Sequence, residues 1–396
     1  MKLLAILLAL ALLLTCAVGC EQTPAPSTSP TPTDPQPSTS QPTEPQPTED
    51  ETLYITGDDV DLRQMVVEYM YAMANIRWTA GQELDYSKYG AKNLIYEAGS
   101  TYLGMVYNNN ATGLEKFQSI LDENGLNIDS ETRWDSAAGN SCATSIRHAW
   151  QQISTTAGFR YSADMMPCFR YSGVVAIGDI DWSCYDRTHT KTVIEGNSRD
   201  VILEAYALTL PGDALVRHMG DAGGHALMIT KAPTVVRNAD GSINLVNSYL
   251  YLTDQNNNLN NKREYPSSWT VDAKVSFSSA LQEGYLPVTV AELRDSKTEI
   301  PRFELEDAPT AQEVALGNVG GTVISNYCLN TIRLEIRSGD SVVACAAAYP
   351  YAASFSLTEL GQLLKITDLS SGEYTLGVIA EVGLATQTLL ELSFSR

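Results

Sequence analysis

Asn140-Ser141-Cys142-Ala143-Thr144-Ser145-Ile146-Arg147-His148-Ala149-Trp150 puts a thiol at the opening of an amphipathic segment. Ile146, Trp150 and Ile153 recur at helical spacing and predict a helix from about 142 to 153, its apolar face inward. Farther along come Pro211-Gly212-Asp213-Ala214-Leu215-Val216 and then Gly223-Gly224-His225-Ala226-Leu227-Met228-Ile229. These predict two short apolar strands, the second opening on an imidazole. A helix N-terminus and a neighbouring imidazolium both favour thiolate over thiol. Either residue alone reads as core; in this order they read as nucleophile and base. His148 lies two turns along the helix from Cys142 and cannot serve as its base.

A dyad needs a third group to orient the imidazole. Asp240-Gly241 is a hairpin turn signal and sets Ala226–Thr230 against a return strand from Ile243, Leu245 and Val246 through Tyr249, Tyr251 and Leu252. Counting outward from the turn puts His225 across from Asp254 or Gln255. Asp254 is the leading candidate; Gln255 and Asn247 are the alternatives. His189 and His218 read as loop residues.

The rest of 53–305 frames this pair. Leu62, Val66, Tyr69, Met73 and Ile76 predict a helix capped by Thr56 or Asp58. A second is expected over 113–124, with Gly125 as its stop. Another, capped by Asn197 or Ser198, carries Val201, Ile202, Ala205 and Leu208 before Pro211. Phe277, Leu281 and Tyr285–Val288 close the region. Helices followed by a sheet make an α+β domain. In 306–396 the period changes to two: Ile332, Leu334 and Ile336 alternate with Arg333, Glu335 and Arg337, and similar runs follow. Short strands at that spacing predict an all-β sandwich of immunoglobulin type.

The N-terminal 52 residues belong to neither. A leucine-rich run to Leu14 reads as a secretory signal. Ala17-Val18-Gly19-Cys20 resembles the lipobox of bacterial lipoproteins, which implies lipid on Cys20 as the N-terminal residue of the mature chain. Residues 21–52 are dominated by Pro, Thr, Ser, Gln and acid and predict a disordered tether, reaching on the order of 90 Å in polyproline form. A net charge of −21 argues against nucleic acid, which demands a basic face. The four histidines show no metal-ligand spacing, and no cofactor motif appears. An exported chain permits disulfides, for which Cys168 with Cys184 and Cys328 with Cys345 are the candidate pairs.

Cys142 to Trp150, Pro211-Gly212-Asp213-Ala214 and Gly224-His225 together resemble the NlpC-type cell-wall peptidases, a branch of the papain-like cysteine peptidases. Gly320–Leu329 and Leu369–Leu376 resemble the Ig-like module joined to such domains in clostridial surface lipoproteins. The resemblance implies a cysteine peptidase cutting peptide bonds of peptidoglycan stem peptides, lipid-anchored at the extracellular face of the cell membrane and reaching into the wall. That family usually has Asp before its cysteine and Ser after it; Ser141 and Ala143 stand here. A segment around 160–195 lengthens the span between cysteine and histidine and is expected to shape the cleft. Two other functions stay open: an inactive cell-wall binding or scaffolding protein, and transglutaminase-like acyl transfer.

Overall fold

The structure is a computed structural model that describes residues 53–90, 93–168, 172–183, 189–220 and 223–396. The signal segment, Cys20, the tether and Cys184 lie outside the described residues. Helix α1 (Leu62–Asn75) buries Leu62, Val66, Met70 and Met73 against the first core. Its cap is Asp61, whose Oδ1 accepts the Gln64 N–H at 2.9 Å. Thr56 and Asp58 begin too early to reach that orphan donor. Thr56 is tied instead into a turn with Asp59.

Helix α2 (Cys142–Trp150) carries Cys142 at its first position, and Thr144 Oγ1 accepts the Ser141 N–H at 2.8 Å. Ile146 and Trp150 are fully buried, and the Trp150 indole donates to the Gly212 carbonyl at 2.7 Å. The helix ends three residues earlier than its apolar spacing predicts. Ser154 Oγ accepts the N–H groups of Thr156 and Ala157, a local bond that competes with another helical turn. Ile153 stays in the core without being helical. The expected 113–124 helix shrinks to Leu114–Ser119. Asp122 captures the N–H groups of Asn124 and Leu126, and Gly125 takes φ 77°. Helix α3 (Arg199–Ala207) is capped by Ser198, but Leu208 falls beyond it and is exposed.

The central sheet is antiparallel. Its strands are β1 (Val174–Ala176), β2 (Ala214–His218), β3 (Gly224–Thr234), β4 (Tyr249–Asn260), β5 (Ser267–Ser276) and β6 (Leu286–Val290), in the order β5-β4-β3-β2-β6-β1. Met228 faces Thr253 and Ile229 faces Leu252, close to the register expected from Asp240-Gly241. The return strand nevertheless starts at Tyr249, not Ile243. Residues 235–248 form their own turn, where Ile243 bridges Arg237 and Ser248 Oγ accepts the Val236 N–H. Phe277 and Leu281 lie on a short helix, Phe277–Glu283. The edge strand β5 carried no clean alternation and was not expected.

The Pro-Gly-Asp run fastens this sheet to α1. Asp213, nearly fully buried, accepts from Arg63 Nη1 at 3.0 Å, Thr289 Oγ1 at 2.6 Å and the Leu210 N–H at 2.7 Å. Asp213→Ala strands these donors, so the unfolding free energy should fall by about 3 kcal/mol. Urea denaturation checks this; a change below about 0.5 kcal/mol would remove the fastening role.

Residues 303–395 form two further antiparallel sheets. One holds β7 (Phe303–Glu306), β8 (Thr322–Leu329) and β11 (Ala352–Ser356), in the order β7-β8-β11. The other holds β9 (Thr331–Ser338), β10 (Ser341–Ala348), β12 (Glu373–Val382) and β13 (Ala385–Ser395), in the order β10-β9-β12-β13. Val323, Tyr327 and Leu329 from the first share a core with Leu334, Ile336, Leu376 and Val378 from the second. Cys328 and Cys345 are both free, which corrects the expected bridge between them. On β8, Tyr327 and Leu329 point into the core while Cys328 points out of it, and Cys345 is exposed on β10 in the other sheet. Cys168 is disulfide-bonded.

Both halves lie in one compact unit, Thr52–Arg396, and polar groups join them. Glu115 accepts from Tyr69 and Tyr351 through Oε2 and from Asn330 through Oε1. Asn330 also donates to Gln152 Oε1, and Gln151 Nε2 donates to Cys328 Sγ at 3.3 Å.

Candidate active site

Three elements bring the site together. Helix α2 supplies Cys142 from its N-terminus. Strand β3 supplies His225 from its second residue, and β4 supplies Asp254 beside it. His225 Nε2 lies 3.1 Å from Asp254 Oδ2. That spends one ring nitrogen on the carboxylate and leaves Nδ1 for the Cys142 sulfur, with which the ring interacts electrostatically. All three side chains are largely withdrawn from water: Cys142 is 9% exposed, and the side chains of His225 and Asp254 are 18% and 9% exposed.

Burial pushes the Cys142 thiol up. The charge of the adjacent imidazolium, the hydrogen bond from His225 and the N–H groups of Ala226 and Ala143 outweigh it, and the thiol sits below its ordinary value. For His225, burial pulls the imidazolium down, while the Cys142 charge and the Asp254 hydrogen bond lift it to about 10. Each charge is thus held by the other, a buried thiolate–imidazolium pair with a carboxylate behind it. His225 favours the folded state fully below its unfolded value of about 6.5, and that contribution disappears as pH rises through about 10.

The other candidates are placed elsewhere. Gln255, one residue on from Asp254, faces the opposite side of β4, where its Nε2 donates to the Met105 carbonyl at 2.8 Å. Asn247 belongs to the exposed turn before β4 and donates its N–H to Asn244 Oδ1. His148 is buried, and burial first, then Arg147, depresses it to about 3. It is a neutral ring 2.8 Å from the Ala111 carbonyl. His218 is not a loop residue: it ends β2, 8% exposed, and lines the cleft.

The cleft over the sulfur holds about 290 Å³ and is lined by Tyr107, Cys142, Arg160, Tyr161, His218 and Gly224 among others. Arg160, Tyr161, Ser162 and Ala163 come from the segment that sequence reading expected to shape it. Gly224 is required there. A Cβ would come within 2.0 Å of Ser162 Oγ and 2.7 Å of the Arg217 carbonyl. Tyr107 was not anticipated. It reaches the site because the 106–108 segment pairs with Asn140, through Asn140 N–H to Val106 O and Asn108 N–H to Asn140 O. Burial first, then the Cys142 charge, raises its phenol well above the ordinary value, so it stays a neutral O–H donor beside the sulfur. No spacing signal marked it.

Chemically, this arrangement can deliver a thiolate to an electrophilic carbon and return a proton to a leaving group. The candidate donors to a developing oxyanion are the backbone N–H of Cys142 at the helix start and the hydroxyl of Tyr107, which lines the cleft. Among the described residues no three His, Cys, Asp or Glu side chains gather as a metal set. In comparisons with known proteins, no family model matches the chain, and no curated protein and no solved structure matches it significantly.

Proposed function

We propose that this chain is a cysteine hydrolase of papain-like, NlpC type that cuts amide bonds in peptidoglycan stem peptides. The observation that carries this is the buried order of carboxylate, imidazole and thiol, with the thiol at a helix N-terminus. Cys142 attacks the amide carbonyl as thiolate. The His225 imidazolium gives its proton to the leaving amine, and water then releases the acyl group from sulfur. Asp254 holds the ring. An antiparallel sheet with α2 packed against β3 supports the papain-like reading, and two sheets around one core support an Ig-like C-terminal module. Cys20 would carry the lipid that holds the chain at the outer face of the membrane, with wall as partner.

A lowered thiol pKa gives a direct assay. Iodoacetamide at pH 6 should alkylate Cys142 faster than an ordinary thiol, whose pKa of about 8.5 leaves it almost wholly protonated there. The free Cys328 and Cys345 serve as internal controls, since burial raises both. Equal labelling of the three would contradict an activated nucleophile. The hydrolase itself is tested by incubating the full chain with purified wall and measuring released peptides by mass spectrometry. Incorporation of an added amine in place of water would show acyl transfer.

A further inference from the structure

Arg147 and Arg160 form an unneutralised pair of guanidinium groups beside the catalytic cleft. The chain carries a net charge of −21, yet among the described residues neither arginine has an ion-pair partner. Arg147 reaches the carbonyls of Phe159 and Ala111 and the neutral His148 ring at Nε2, each at 3.3 Å, and its Nε is buried with no hydrogen-bond partner among the described residues. Arg160 reaches the Asn109 carbonyl, also at 3.3 Å. Burial lowers the Arg147 pKa; the nearby Cys328 sulfur opposes this, and the charge of Arg160 adds to it. Among the described residues, two like charges held this way lack a counter-ion.

They face a second cavity of about 340 Å³, whose other walls are Asn110, Thr112, Tyr349 and Tyr351. Arg160 lines this cavity and the cleft over Cys142 alike. Tyr349 and Tyr351 come from the connection between β10 and β11, so the C-terminal sheets build part of the wall. That connection is anchored: the Tyr351 hydroxyl binds Glu115 and the Lys116 N–H, and its ring packs on His148 at 4.8 Å. A cavity with two guanidinium groups that have no ion-pair partner among the described residues, polar side chains and aromatic walls fits a planar anion that can take forked N–H donors.

We propose that Arg147 and Arg160 are an anion subsite that takes a carboxylate of the peptide whose scissile bond lies at Cys142. This rests on the hydrolase reading and narrows it to acidic peptides, with the C-terminal module completing the substrate site.

Binding tests it without turnover. In the full chain bearing Cys142→Ala, N-acetyl-alanyl-γ-D-glutamyl-lysine amide is titrated by calorimetry against the same peptide with the glutamate α-carboxylate amidated. The carboxylate form should bind about tenfold tighter. Arg160→Gln, an exposed position, should erase that preference by weakening the carboxylate form alone. Equal affinity for the two peptides, or a preference that survives both Arg160→Gln and Arg147→Gln, overturns the subsite. Preference without any hydrolysis by the unsubstituted chain leaves the subsite standing and removes the hydrolase. Hydrolysis of both peptides at equal kcat/KM does the reverse.

Discussion

Cys142→Ala should abolish release of peptides from purified wall, with a loss on the order of 10⁶-fold in kcat if the acyl group is carried on sulfur. The magnitude follows from what disappears. Without the thiolate, His225 has no partner to deprotonate and the covalent route closes, leaving only the oxyanion donors to speed attack by water. Folding should survive, since a small apolar side chain replaces a buried thiol without opening a large void. The substitution has a second readout. The Cys142 charge is the largest influence raising His225, so its removal should lower the His225 pKa from about 10, followed through the ring proton resonances. Undiminished peptide release would end the cysteine mechanism. An unmoved His225 titration would mean that the two groups are not electrostatically paired.

The pair was legible because its geometry is written locally. A cysteine before an apolar helical stripe falls at a helix start, and a histidine before an apolar run falls at a strand start. The turn at Asp240-Gly241 then set β3 against β4 closely enough to single out Asp254. The register stayed close to that expectation even though the return strand begins at Tyr249 and two irregularities, between Ile229 and Lys231 and between Lys231 and Thr234, interrupt the ladder. Helix lengths were less legible. Ser154 and Asp122 end or replace helical turns through side-chain bonds to backbone, which apolar spacing does not reveal. Tyr107 was invisible for a different reason: it depends on pairing with Asn140, a long-range contact with no periodic signature. Arg160 fell in the segment expected to shape the cleft, but its second cavity depends on the distant Tyr349 and Tyr351. Cys328 and Cys345 mislead in the same way. Their nearness in sequence suggests a bridge, but alternation along β8 and β10 turns both out of the core, on different sheets.

Asp254→Asn should cut kcat by roughly 10²- to 10⁴-fold while leaving KM nearly unchanged. The carboxylate holds the far edge of the imidazole, His225 Nε2 at 3.1 Å, and also accepts from Asn256 Nδ2 at 3.5 Å; it acts through the ring rather than on substrate. Its work is to fix which nitrogen carries the proton and to stabilise the imidazolium. An amide of the same shape can still accept through oxygen, but it carries no charge, and if it turns its NH₂ to the ring it selects the wrong tautomer. Two further changes follow from the same loss. The Asp254 hydrogen bond and charge both raise His225, so the high-pH limb of the rate profile, near about 10 in the unsubstituted chain, should move down. A weaker imidazolium also stabilises the Cys142 thiolate less, so alkylation by iodoacetamide at pH 6 should slow. A merely structural aspartate would lower stability without moving either pH-dependent quantity. Rates within threefold of the unsubstituted chain, with the high-pH limb unmoved, would deny Asp254 its orienting role and leave a two-residue site.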